Sequence, residues 1–167
     1  VELLARRDGG QLKKSREKAL TAEVRIGERR VALGFPQTYM NESGQSVVRL
    51  VRRYSIEDLH QLVVVHDELD LPAGRMRVKV GGGLAGHNGL KSIKAHLHTD
   101  DFVRVRIGVG KPSSKKHGAN HVLNRFGKAE RKAIEVTVEE AADAVEMIVG
   151  AWLEKAMLKV QTNGEEV

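Results

Sequence analysis

Three short stretches of the chain carry residue types that could do chemistry. His66-Asp67-Glu68-Leu69-Asp70 comes directly after the apolar run 62–65, so a carboxylate emerges where a strand covered on both faces leaves the core. A carboxylate there can orient a histidine for general-base work, and α/β proteins often gather catalytic groups at strand ends. Successive strand residues face opposite ways, so His66 and Asp67 are not expected to serve each other or to share a metal. A histidine partner for Asp67 has to come from elsewhere. An acidic turn after a strand accounts for the same residues without any chemistry.

The second stretch, Gly81-Gly82-Gly83-Leu84-Ala85-Gly86-His87-Asn88-Gly89, formally matches the dinucleotide fingerprint, with Asp100 and Asp101 at roughly the ~20-residue distance of a ribose-binding acid. Those aspartates precede a strand where such an acid should follow one, and the motif sits mid-chain. A glycine-rich run also lets backbone approach any ligand closely, with Asn88 offering a donor and an acceptor near a helix start. A helix entry needing unusual backbone angles is the plainer reading. The third stretch is Tyr39-Met40-Asn41, just before a helix, where an asparagine ordinarily caps. His87, His96, His98, His117 and His121 invite a metal reading, but His117 and His121 lie four apart in a glycine-containing loop with no interleaved carboxylate, which fits solvated surface better.

The charges are ordered. In 75–80 the cations Arg75, Arg77 and Lys79 alternate with Met76, Val78 and Val80, and in 103–107 Arg104 and Arg106 alternate with Val103, Val105 and Ile107. If the two strands are neighbours, five cations line one face. Such a face suits phosphate contacts, which position a nucleic acid without reading bases; it is equally a solvated sheet face. The chain has 167 residues, a net charge of +6 and no cysteine, which excludes disulfides, thiolate metal sites and cysteine nucleophiles. Six aromatic residues speak against stacking on many bases. No run approaches the ~18 apolar residues of a membrane span, and the start lacks a signal-peptide core, so a soluble, cytoplasmic protein is expected.

The elements that must position these residues are legible from periodicity. The segments 22–26 and 29–34 alternate around Gly27-Glu28 and predict two strands joined by a turn. Val47, Val48, Leu50, Val51 and Tyr54 recur at helical spacing, with Asn41 or Ser43 as cap. The segment 61–72 predicts a buried strand ended by Pro72. Residues 87–97 predict a helix, and 111–120 a mobile loop. From Lys128 onward, Ala141, Val145, Ile148, Trp152 and Ala156 define one apolar helix face. Strands interleaved with helices predict an α/β domain with a twisted mixed sheet flanked by helices, over 1–160, with a frayed tail at 161–167.

Taken in order, TYMNESG, HDELDLP, GGGLAGHNG and RVRIGVG closely resemble the bacterial peptidyl-tRNA hydrolase family, over about Val31 to Met157. The resemblance implies a monomeric enzyme, needing no metal or other cofactor, that cleaves the ester between a stalled peptide and tRNA. It implies that Asn41 and Asn88 hold the peptide and the tRNA 3′ end, with Tyr39 and Met40 beside them. Asp67 matches the carboxylate that holds the catalytic histidine in its basic form, and His87 a histidine that helps position substrate. Lys79 and Arg106 match a pair gripping the tRNA 5′-phosphate, and Gly118 to Arg125 a lid region. Ala85 stands where related sequences commonly have glycine. The family's first strand, its G-N-P-G loop and its R-H-N segment are not in this sequence, and VELLARR reads as the end of a helix without its start. The chain is therefore expected to be N-terminally incomplete, to lack the catalytic histidine, and to hydrolyse little on its own. A non-catalytic RNA-binding module of the same fold and a dinucleotide-binding oxidoreductase are the alternatives.

Overall fold

The computed structural model describes residues 1–111 and 127–165. Helix α1 (Glu2–Arg7) buries Leu4 and Ala5, and a strand pair follows: β2 (Ala19–Ile26) runs antiparallel to β3 (Arg29–Pro36), with short β1 (Lys13–Lys14) on the outer side of β2. Gly27, at φ 61°, takes the left-handed conformation that a two-residue hairpin loop needs at its first position. After α2 (Ser43–Arg53) the chain forms β4 (Val63–Glu68), β5 (Met76–Val80), α3 (Asn88–Leu97), β6 (Val103–Gly108) and the long α4 (Lys128–Glu165). Among the described residues no helix is long and apolar enough to cross a membrane.

The expected mixed sheet is present as two three-stranded sheets, ordered β1-β2-β3 and β4-β6-β5. Strand β4 pairs parallel and β5 antiparallel with the central β6. Among the described residues the facing edges of β3 and β4 carry no neighbour, and they line a cavity of about 770 Å³, so the apolar patterns that predicted the two strands do not close one sheet. The helices cover these layers. Ala141, Ala142, Val145 and Val149 of α4 meet Leu4, Val24, Ile26, Leu33 and Val105 in the larger core, with Ile148 and Trp152 packed beside it, while Ala156 has no described side chain. A second core joins Val47 of α2, Leu90 and Ile93 of α3 and the fully buried Phe102, a side chain of the kind whose burial is worth roughly 1.5–3 kcal/mol. Arg7 fastens α1 to α4 through Glu139, Asp143 and Glu146 at 2.9–3.1 Å.

Two expectations about the sheet change here. The G-x-G-x-x-G match fails structurally, because the strand before it, β5, is antiparallel to the strand after α3, β6, whereas a dinucleotide-binding unit needs a parallel pair around its helix. The five-cation face is real in register, with Arg77 opposite Arg106 and Lys79 opposite Arg104, but not in exposure. Arg104 is 1 % exposed, and Arg75 precedes the strand. His117, His121, Gly118 and Arg125 lie outside the described residues.

Candidate active site

The C-terminal end of β4 and the first turn of α3 meet. Asp67, next to last in its strand, projects a carboxylate whose Oδ1 lies 2.9 Å from Nε2 of His87, the N-cap residue of α3. The other ring nitrogen, Nδ1, accepts from the Leu90 N–H at 3.2 Å. Since Nδ1 accepts, the proton of neutral His87 sits on Nε2 and is donated to Asp67. The bond from His87 is the main reason that the Asp67 carboxyl lies below its ordinary value, against an opposing push from burial. Both nitrogens of His87 are thereby committed, one to capping and one to Asp67. His87 has no free lone pair with which to take a proton from water; it braces the carboxylate.

His66, the residue before Asp67, is nine-tenths buried. Its Nδ1 donates to the Asp67 carbonyl at 2.8 Å, and its ring meets the His87 ring edge-on at 4.9 Å. Burial is the main cause that keeps it below the usual histidine range, so it is neutral and its proton lies on Nδ1. The carboxylate next along, Glu68, is 5 % exposed and is neutralised by Arg106, whose Nη2 lies 2.7 Å from Oε1. Arg106 therefore brings little free charge to the cation face.

The Tyr39–Asn41 stretch reaches the same place through close helix packing. Gly44 donates its N–H to Ser92 Oγ at 2.8 Å, and a Cβ on Gly44 would collide with the Ser92 backbone and His96, so α2 and α3 touch where no side chain fits. A Cβ on Gly89 would meet Met40 Sδ at 2.7 Å; the thioether thus lies across the start of α3. The expected cap is absent: neither Asn41 nor Ser43 caps α2, and Ser43 Oγ donates back to the Met40 carbonyl at 2.7 Å. Asn41, Asn88, Tyr39 and Met40 are all exposed, and both asparagine amides are without hydrogen bonds among the described residues. Met40, His66, Asp67, His87 and Gly89 line the mouth of the cavity between β3 and β4.

The glycine run positions His87 and Asn88. Gly81, Gly82 and Gly86 have φ of 66°, 89° and 74°, and Ala85 shares the left-handed region at 49°, where a Cβ costs roughly 1–2 kcal/mol. Arg104 pins this loop from inside, with Nη1 donating to the Gly83 carbonyl at 2.7 Å and Nη2 to those of Gly82 and Asp100 at 3.1 and 2.7 Å. Alternation assigned Arg104 to a cation face but could not show that the chain's own loop covers that face. The same limit hid the Asp67–His87 pair, whose members are distant in sequence and fall on different elements.

The brace has a pH signature. Asp67 has a lowered folded value, so its contribution is complete above the ordinary carboxylate range and is lost as pH falls through that lowered value. His87→Ala removes the donor and the cap, and the cap alone is worth about 1 kcal/mol. Urea unfolding at pH 7 should show the variant less stable by at least that amount, with the gap narrowing towards pH 3. An equal gap at both pH values would contradict the bond.

The profile of the family described as peptidyl-tRNA hydrolase matches residues 1–166. A peptidyl-tRNA hydrolase of Mycolicibacterium vanbaalenii is 45% identical over 165 residues, covering 98% of this chain and 85% of that protein. One of Frankia casuarinae is 45% identical over 93% of this chain and 79% of its own length. The crystal structure of peptidyl-tRNA hydrolase from Acinetobacter baumannii superposes with a TM-score of 0.83 at 36% identity, covering 95% of this chain and 81% of that one. The chain belongs to the peptidyl-tRNA hydrolase family.

Proposed function

We infer that the chain acts as a peptidyl-tRNA hydrolase, an esterase that splits the ester between peptide and tRNA and so frees both. The observation that carries the mechanism is Asp67, a carboxylate braced by a histidine with no lone pair to spare, beside two unengaged asparagines. Such a carboxylate is suited to orient a further imidazole and to stabilise it once protonated. That imidazole removes a proton from water, and the resulting hydroxide attacks the ester carbonyl; the tRNA 3′-hydroxyl leaves, taking the proton back. Asn41 steadies the carbonyl oxygen as it gains charge, Asn88 holds the attacking water or the peptide backbone, and Tyr39 and Met40 flank the acyl group. Lys79, with the donors left on Arg106, holds the 5′-phosphate at the acceptor end.

We assign the base to a histidine contributed from outside residues 1–167. Three features support this: neither His87 nitrogen is available, the free Nε2 of His66 is buried, and the cavity beside Asp67 is bounded by two strand edges, unpaired among the described residues, that a further strand could satisfy. The test is turnover of N-acetyl-aminoacyl-tRNA by residues 1–167 and by a version extended upstream. The extended protein should hydrolyse this substrate, spare aminoacyl-tRNA with a free amine, and exceed the shorter chain by about 10²–10⁴-fold, the usual worth of a general base. Equal and normal activity of the two would overturn the assignment of the base. Nothing in the comparisons favours the binding-only alternative.

A further inference from the structure

The positive charge expected on the β5–β6 face is smaller than its residues suggest, because Arg104 is internal and Arg106 is matched by Glu68. Much of the chain's excess lies elsewhere. Beside the β1–β2 hairpin and the C-terminal end of α2 is an open cleft of about 860 Å³ whose lining includes Lys13, Lys14, Arg16 and Arg53. Lys13, Lys14 and Arg16 are exposed and form no ion pair among the described residues. Of the two acids lining the cleft, Glu17 meets Arg53 through Oε1 at 2.9 Å while its Oε2 is buried without a partner, and Glu23 holds Arg30 at 3.0 Å. The Arg53 guanidinium lies over the Tyr54 ring at 4.9 Å, and the Tyr54 hydroxyl is buried with no partner.

The cleft is tied to the active-site loop. Lys18, at the end of the hairpin turn, donates from its ammonium to Gln45 Oε1 in the first turn of α2 at 2.9 Å, and its carbonyl accepts from the Gln37 N–H at 2.8 Å. Gln37 is two residues before Tyr39. A polyanion lying in the cleft therefore contacts a surface fixed to the loop that carries Tyr39, Met40 and Asn41.

We propose that this cleft is a second phosphate-binding surface, separate from Lys79 and Arg106, which takes the sugar–phosphate backbone of the tRNA away from its reactive end. It has concavity, unpaired cations and no exposed row of aromatics, which suits backbone recognition rather than base reading. The proposal rests on the hydrolase reading for the identity of the RNA.

The experiment measures binding of deacylated tRNA by fluorescence anisotropy across a salt series, for the native chain, for K13E/K14E/R16E and for the neutral K13Q/K14Q/R16Q. Circular dichroism and thermal unfolding report the fold. The charge-reversed variant should bind at least ~10-fold more weakly at 0.1 M salt, with the log–log salt slope shallower by roughly 2–3, near one per phosphate contact. The neutral variant should lose less affinity but show a similar slope change, and it decides the matter if the reversed variant does not fold. Native affinity and slope in a folded variant overturn the second surface. No tRNA binding by the native chain would instead overturn the hydrolase reading beneath it, so the two failures are distinct.

Discussion

Asn in place of Asp67, in the protein extended upstream, is expected to lower turnover of N-acetyl-aminoacyl-tRNA by about 10³–10⁴-fold. The side chain keeps its shape, and its Oδ1 can still accept from His87 Nε2, which is 2.9 Å away in the native chain, so the fold should survive. What disappears is the negative charge that would fix the tautomer of the base and offset the imidazolium formed during attack. The loss should fall on kcat, because neither the asparagines at 41 and 88 nor Lys79 is touched. A fall of less than tenfold, with normal unfolding behaviour, would remove Asp67 from the mechanism.

Arg104→Leu is expected to cost about 3 kcal/mol of stability, since three carbonyls lose a charged donor and each such bond contributes roughly 1.5–3 kcal/mol before the loop relaxes to water. For a domain of this size that corresponds to a Tm lower by roughly 6–12 °C. Arg104→Lys should be intermediate, because an ammonium cannot span carbonyls that a planar guanidinium reaches together. The salt slope of tRNA binding should not change, as the native guanidinium is 1 % exposed. A stable variant with a shallower slope would mean that Arg104 is a surface phosphate ligand after all.

Local pattern made the elements readable. Alternation placed β2, β3, β5 and β6, the apolar run before His66 placed β4, and the apolar steps from Ala141 to Trp152 placed the packed face of α4. The candidate site was legible as separate stretches. That Met40 would lie against Gly89, or that His87 would spend both nitrogens on Leu90 and Asp67, depends on how α2 crosses α3 and on where β4 ends against α3. Those are tertiary facts that spacing along one chain does not encode. Alternation likewise says which residues share a face but not what covers it, which is why Arg104 was read as surface. The same pattern gave strands without giving their neighbours, so the division into two sheets was hidden.

That division bears on how the chain behaves in a crowded solution. The facing edges of β3 and β4 present rows of main-chain donors and acceptors beside Val31, Leu33, Val63 and Val65, and the one proline there, Pro36, stands only at the end of β3, so most of each edge lacks that usual guard against edge-to-edge addition. Residues 1–167 thus offer any extended apolar segment, including one from another molecule of the same chain, two templates at once. A single extended strand laid in that seam would satisfy both edges and join the two sheets into one.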